Sequence, residues 1–172
     1  MKKKILVIDV GGTHVKLMIS RAEKRKFDSG LTMTPREMVT QMQPLLEDWS
    51  FAAVSVGFPS PVRAGRILSD PKHLGRGWVG FDFEKALGKP VRIINDAAMQ
   101  ALGSYHGRRM LFLGLGTGLG SALVWNNYVL PLELGICLTA TAISLKIISA
   151  NRAWRGSAKK FGSATLITRS YN

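Results

Sequence analysis

One cysteine, Cys137, is all that the 172-residue chain contains. A single thiol excludes an internal disulfide framework and a cysteine-rich zinc site, and it fits a reducing, cytoplasmic setting. Long apolar runs are missing as well: none approaches the roughly 20 residues that a membrane span needs. The opening Met1-Lys2-Lys3-Lys4, followed by aliphatic residues, imitates a secretory leader. Asp9 interrupts that run almost at once and no small-residue cleavage site follows, so a soluble protein is expected. Acidic residues are scarce, 11 against 24 Lys and Arg, for a net charge of +13. After Glu133 there are none, and Lys146, Arg152, Arg155, Lys159, Lys160 and Arg169 stand unopposed. A charge of this sign raises nucleic acid as a partner. Recognition-helix, zinc-finger and RNA-binding signatures are lacking, however, and the body of the chain before Gly135 is only moderately basic.

What the sequence does have is a first strand and turn, Ile5-Leu6-Val7-Ile8-Asp9-Val10-Gly11-Gly12-Thr13-His14-Val15-Lys16. The aliphatic run predicts a buried strand. Gly11 and Gly12 remove the β-carbons that would hold backbone N–H groups away from an anion, and Thr13 and Lys16 add a hydroxyl and a cation. A carboxylate beside a phosphate site repels the ligand unless a divalent cation lies between, which makes Asp9 a candidate for holding Mg²⁺ or its water shell. An ordinary glycine hairpin is the alternative.

Residues 15–20 then predict a second strand, and the charged stretch 21–28 a hairpin leading to a third. Thr34-Pro35-Arg36-Glu37 is a capping box with proline at the first helical position. Val39, Met42, Leu46 and Trp49, three or four apart, predict one buried stripe on the helix that follows. Residues 52–58 read as a buried strand closed by Gly57-Phe58-Pro59-Ser60-Pro61, a loop of the kind that forms ligand sites at strand ends. A short helix is expected over 82–87 and a strand over 91–94. The strand ends in Asn95-Asp96, and a helix is expected over 97–105 with Ala98, Leu102 and Tyr105 on one face. Either Asn95 or Asp96 can serve as that helix's N-cap. At a strand end facing the same cleft as Asp9, Asp96 can instead take a hydroxyl proton while Asn95 fixes the substrate. Strands follow over 110–115, 121–125 and 128–132, the last two joined by a turn at Asn126-Asn127. Gly116-Thr117-Gly118-Leu119-Gly120 is neither a Walker loop nor a dinucleotide fingerprint, because no Lys-Ser/Thr pair follows and a strand comes where a helix should start. It repeats the design of the first turn, and two such turns can cradle one phosphate chain.

Asp9-Val10-Gly11-Gly12-Thr13 with Lys16, Asn95-Asp96-Ala97, the stretch from Leu113 to Gly120, and Glu133-Leu134-Gly135, in this order, resemble the ROK family of sugar kinases, within it the polyphosphate glucokinase group. The resemblance implies an α/β fold: an actin-like ATPase (ribonuclease H-like) lobe with a mixed sheet, and a second lobe that here is incomplete. It implies phosphoryl transfer to the 6-hydroxyl of glucose or a similar hexose. By this resemblance Asp9, Gly11, Gly12, Thr13 and Lys16 bind donor phosphate and Mg²⁺, and Gly116, Thr117 and Gly118 form a second phosphate turn. Asn95 and Glu133 bond sugar hydroxyls beside the loop at Gly57, and Asp96 is the general base. The expected partners are glucose or a related hexose, ATP or polyphosphate, and a second copy in a homodimer, with neither nucleic acid nor membrane among them. Two positions depart from the family: Ser60 replaces a glycine and is expected to narrow or re-aim the sugar loop, and Ile136 replaces a histidine that is a sugar ligand.

The expected organisation is an N-terminal lobe over 1–108, the opening strands of a second lobe over 109–135, and an aberrant basic tail over 136–172. The tail reads as a shifted frame. Permitted codons for Gly135 to Thr139 can spell His-Leu-Pro-Tyr in the neighbouring frame, and those for Ala153 to Ala164 can spell Leu-Glu-Arg-Leu-Gly-Lys-Lys-Val-Trp-Gln-Arg, similar to the family's continuation. On that reading the nucleotide-binding half is missing, apolar surface between Leu111 and Leu132 is left exposed, and the chain is an inactive fragment. The alternative is a divergent cap in which residues 136–148 pack as a helix. A sugar-responsive regulator is a further class, expected to need a DNA-binding segment for which the first strand, starting at residue 4 or 5, leaves no room.

Overall fold

Six residues, Ile5–Val10, form strand β1, and their alternation sets which way each side chain faces. Leu6, Ile8 and Val10 are fully buried, whereas Ile5, Val7 and Asp9 occupy the other face. The computed structural model describes residues 4–115, 119–126, 128–132, 134, 159–161 and 164–170. The chain forms two compact units, Met1–Asp96 and Ala97–Asn172.

In the first unit, β1 continues into β2 (His14–Met18) and β3 (Lys24–Asp28) as an antiparallel meander. Its other edge takes β4 (Ala53–Phe58) in parallel, and β4 in turn takes β7 (Val91–Asn95), giving the order β3-β2-β1-β4-β7. Between these strands lie helix α1 (Pro35–Met42), a small hairpin of β5 (Val62–Arg63) and β6 (Arg66–Ile67), and helix α2 (Phe83–Leu87). The hairpin was not read in the sequence, because its turn is Ala64-Gly65 rather than Asn-Gly. Both residues take positive φ, 49° and 74°.

The capping box of α1 forms as expected: the Glu37 carboxylate accepts from the Thr34 N–H at 2.8 Å, and the Thr34 hydroxyl accepts from the Glu37 N–H at 3.3 Å. The expected stripe is corrected. The α-helix stops at Met42, and Gln43–Leu45 is a 3₁₀ turn, because Pro44 has no N–H to continue the ladder. Trp49 therefore lies off the helix, where the Arg25 guanidinium stacks 4.4 Å from its ring and also pairs with Asp48. Met38, Val39 and Met42 of α1 and Phe83 of α2 join Leu6, Ile8, Leu17, Val54, Val56 and Trp78 in one core.

In the second unit, α3 (Asp96–Gly103) packs from Ala97 onward on a sheet ordered β10-β9-β8-β12-β11. Its strands are β8 (Met110–Leu115), β9 (Leu119–Trp125), β10 (Tyr128–Leu132), β11 (Lys159–Phe161) and β12 (Ala164–Ser170). The expected face of Ala98, Leu102 and Tyr105 is corrected as well. The buried residues are Ala97, Ala98 and Ala101, while Leu102 is exposed and Tyr105 lies beyond the helix. Close approach selects these small side chains: a β-carbon on Gly120 of β9 would stand 3.2 Å from that of Ala97. Leu115, Trp125, Tyr128 and Leu130 are exposed. β12 runs parallel to β8, so part of the tail belongs to this sheet, while residues 136–148 lie outside the described residues. Among the described residues no helix is long and apolar enough to cross a membrane.

Candidate active site

The parallel strands β1, β4 and β7 end side by side, and their register sets where the expected site residues of the first unit stand, Asp9 on the face away from the core and Asn95 on the core side. Asp9 on β1 lies opposite Gly57 on β4, and Phe58 lies opposite Asn95, the last residue of β7. Two strand spacings of roughly 4.8 Å therefore separate the Asp9 backbone from the Asn95-Asp96 step. Asp96 opens α3 immediately afterwards. The carboxyl ends of parallel strands are where open α/β sheets place ligands, because loops leave there and side chains from neighbouring strands converge.

The turn between β1 and β2 is fixed from several sides. The Gly11 N–H donates to the His14 carbonyl at 3.0 Å, the Ser29 hydroxyl donates to the Gly11 carbonyl at 2.7 Å, and the Ser29 N–H donates to the Thr13 carbonyl at 2.9 Å. A side chain at Gly12 has no room, since its β-carbon would lie 2.9 Å from that of His73. Thr13 and Lys16 are exposed beside the turn. Gly57 and Asn95 are buried, Asn95 on the core side of the sheet with Phe58.

His73 and its loop were missed by sequence reading. The loop is built on Asp70, whose carboxylate accepts from the Trp78 N–H at 2.9 Å, and on the Trp78 indole, which donates to the Gly75 carbonyl at 2.8 Å. The backbone N–H of Trp78 holds the Asp70 carboxyl below its usual range. Gly75 donates to the Met33 carbonyl at 3.0 Å, completing the attachment. The signal available was a tryptophan amid turn formers, Asp70-Pro71 and Gly75 to Gly77, which marks an anchored loop. Ser60, the departure from the family's glycine, is buried and donates to the Ser69 carbonyl at 2.7 Å, tying the strand-end loop to the start of the His73 loop.

Asp9 is 24 % exposed, and its carboxylate lies 4.0 Å from the Lys16 ammonium. Burial raises its pKa above the ordinary 3.8, and the attraction of Lys16 offsets this only in part. A proton bound more tightly in the folded chain favours folding below pH 3.8, and that contribution is lost as the pH rises through the folded value. Asp9→Asn is therefore expected to melt at a higher temperature than the parent at pH 7 in divalent-free buffer. The gap should close as the pH is lowered toward 3.8, as thermal melts at the two pH values will read. The partly buried carboxylate is a hard oxygen donor of the kind Mg²⁺ takes, one or two per ion beside water and phosphate oxygens. Among the described residues there is no group of three or more His, Cys, Asp or Glu that could hold a metal. Gly116, Thr117, Gly118 and Glu133 lie outside the described residues. An open cavity of about 380 Å³ lined by Met42, Trp49, Phe51 and Leu87 lies at the amino ends of β4 and β7, the far end of the sheet from Asp9.

The model of the ROK family matches residues 5–136. This chain belongs to the ROK family. A search of curated protein sequences finds no significant match. Among solved structures, the inorganic polyphosphate/ATP-glucomannokinase from Arthrobacter sp. strain KM is similar at 25 % identity and a TM-score of 0.64, over 78 % of this chain and 63 % of that one. A ROK family glucokinase from Streptomyces griseus, solved with glucose and AMPPNP, is 22 % identical with a TM-score of 0.61, over 74 % of this chain and 46 % of that one. A ROK family transcriptional regulator, a homologue of the E. coli MLC protein, is 18 % identical with a TM-score of 0.60, over 74 % and 38 %. The last two likenesses show the fold alone. The ROK chain described here spans less than two thirds of the length of each of these structures. Its fold is that of the actin-like ROK sugar kinases, with a mixed sheet in the first unit.

Proposed function

We propose that this chain is a sugar kinase that transfers a phosphoryl group from polyphosphate or ATP to the 6-hydroxyl of glucose or a similar hexose. The observation that supports the reading is the register of β1, β4 and β7, by which Asp9 and the Asn95-Asp96 step stand at the carboxyl end of one sheet, two strands apart. Donor phosphates lie against the backbone of Gly11 and Gly12, with the Thr13 hydroxyl and the Lys16 ammonium drawing on their charge. Asp9 would hold Mg²⁺, which when bound would supply charge neutralisation on the donor oxygens. Asn95 and the loop at Gly57 fix the hexose, and Asp96 takes the proton from its hydroxyl. The hydroxyl oxygen then forms the new bond to phosphorus as the bridging oxygen of the donor leaves with its electron pair. In the reading, Gly116, Thr117 and Gly118 supply the second phosphate turn and Glu133 a further sugar contact. Little covalent chemistry is asked of the protein in such a transfer, so positioning and charge neutralisation suffice.

A second reading, sugar-responsive binding without transfer, draws on the likeness to the transcriptional regulator. A coupled assay of glucose phosphorylation by the purified chain, with ATP and with polyphosphate in parallel, separates the two. Turnover with either donor is the expected result. Glucose binding by calorimetry with no turnover at saturating donor would remove the transfer reading and leave a non-catalytic member of the family, a sugar-binding chain or an inactive fragment of a kinase.

A further inference from the structure

The first unit's sheet has two unlike faces. One is the core face, covered by α1, α2 and the Trp78 loop. The other carries Val7 and Asp9 of β1, and the strand register sets out what stands beside them. Lys26 on β3 lies directly opposite Lys16 on β2, which lies opposite Asp9 on β1. One step along the strands, Lys24 lies opposite Met18. The alternation on β3 agrees: Lys24, Lys26 and Asp28 are exposed, while Arg25 and Phe27 turn inward. Two carboxylates share this face, and each has a basic neighbour of its own. Asp9 faces Lys16, and Asp28 lies 3.3 Å from the His14 imidazole. Among the described residues neither Lys24 nor Lys26 has an acidic group within ion-pairing distance.

Like charges directly opposite on neighbouring strands oppose folding, so the Lys16 and Lys26 pair is a cost to the sheet. Lysines on an edge strand commonly keep sheets from pairing edge to edge, and Lys24 and Lys26 can do that. Edge protection does not require Lys16, which sits on an inner strand, nor a row that begins three residues after Thr13 of the phosphate turn. From that turn the row runs sideways across two strand spacings, roughly 10 Å, to the sheet's edge. A linear polyanion held at the turn by one end meets successive ammonium groups along this path.

We infer that Lys16, Lys26 and Lys24 form a track for the distal phosphates of a polyphosphate donor, which enters over β3 and reaches the Gly11 to Thr13 turn with its terminal unit. The inference rests on the phosphotransfer reading for its direction, since it is the turn that takes the reacting end. A short donor ends before Lys26, whereas a long chain engages all three lysines.

The test is equilibrium binding of inorganic tripolyphosphate and of long-chain polyphosphate to the full chain and to its Lys24→Ala/Lys26→Ala variant, at several salt concentrations. Long-chain polyphosphate should bind the variant roughly tenfold more weakly, while tripolyphosphate binds both proteins alike. The dependence of log affinity on log salt should flatten by about one for each lysine removed. Equal weakening for both ligands, or none for either, overturns the track. So does equal competition by a single-stranded oligonucleotide of matched charge, which would make the face a general polyanion surface. Matching melting temperatures exclude misfolding of the variant. Length-dependent binding without glucose phosphorylation would leave the track standing and remove the kinase reading, so the two fail separately.

Discussion

Asp96→Asn is expected to slow hexose phosphorylation by about 10²–10⁴-fold, the usual contribution of a positioned general base. The substitution keeps the size and planarity of the side chain but leaves nothing at the reacting hydroxyl that can accept a proton. Asparagine opens helices as well as aspartate does, so α3 should form as before. Loss of a negative charge in the first helical turn costs only about 0.3–1 kcal/mol. The loss should therefore fall on kcat, with the KM for hexose little changed and the melting temperature slightly lowered. Steady-state kinetics beside a thermal melt read all three. A decrease smaller than about tenfold, equivalent to about 1.4 kcal/mol, would remove Asp96 from the proton transfer and leave it as a helix-opening residue.

Trp78→Ala carries the largest expected effect on stability. The indole is fully buried, with its ring 5.1 Å from Phe58 and 6.4 Å from Phe83, and its N–H serves the Gly75 carbonyl. Truncating a buried tryptophan costs about 3–5 kcal/mol against a typical total of about 5–15 kcal/mol. Urea unfolding should show a much lower midpoint at an unchanged slope. Trp78→Phe should recover a large part of the loss, because the ring contacts persist while the bond to Gly75 does not. Since the same loop seats His73 against Gly12, the alanine variant should also weaken phosphate binding at the turn. Unaltered unfolding would mean that the loop contributes little to the core.

The first unit was legible wherever local chemistry decides structure. The glycine turn after β1, the Thr34 to Glu37 capping box, the strand through Gly57 and the strand ending at Asn95 all lie where the residues place them. Reading failed where a single backbone property outweighs periodicity. Pro44 ends α1 although Leu46 and Trp49 continue its apolar spacing, and Ala64-Gly65 makes a hairpin turn without the usual asparagine. It failed too where packing depends on residues far apart in the chain. Nothing in Gly12 or His73 alone says that they touch, and the small faces of Ala97 and Gly120 matter only because α3 lies on β9. Around the candidate site, the sequence marks the glycine turn and the Asn95-Asp96 step, whereas the approach of His73 to Gly12 emerges only from the fold. Ser60 stands out in the sequence as a departure, yet its partner Ser69 emerges only from the folded arrangement.

The strand order carries a consequence for how the chain emerges from a ribosome. β1, β2 and β3 pair with immediate neighbours and can form as soon as they are made. Ile5 and Leu6, however, must wait for Ala53 and Val54, and those in turn for Pro90 and Val91. At about 5–20 residues per second the second edge of β1 stays open for roughly two to ten seconds. Asp9, Gly57 and Asn95 therefore share one sheet only once the last of these strands docks. A nascent chain halted before residue 91 would leave β4 without its second neighbour.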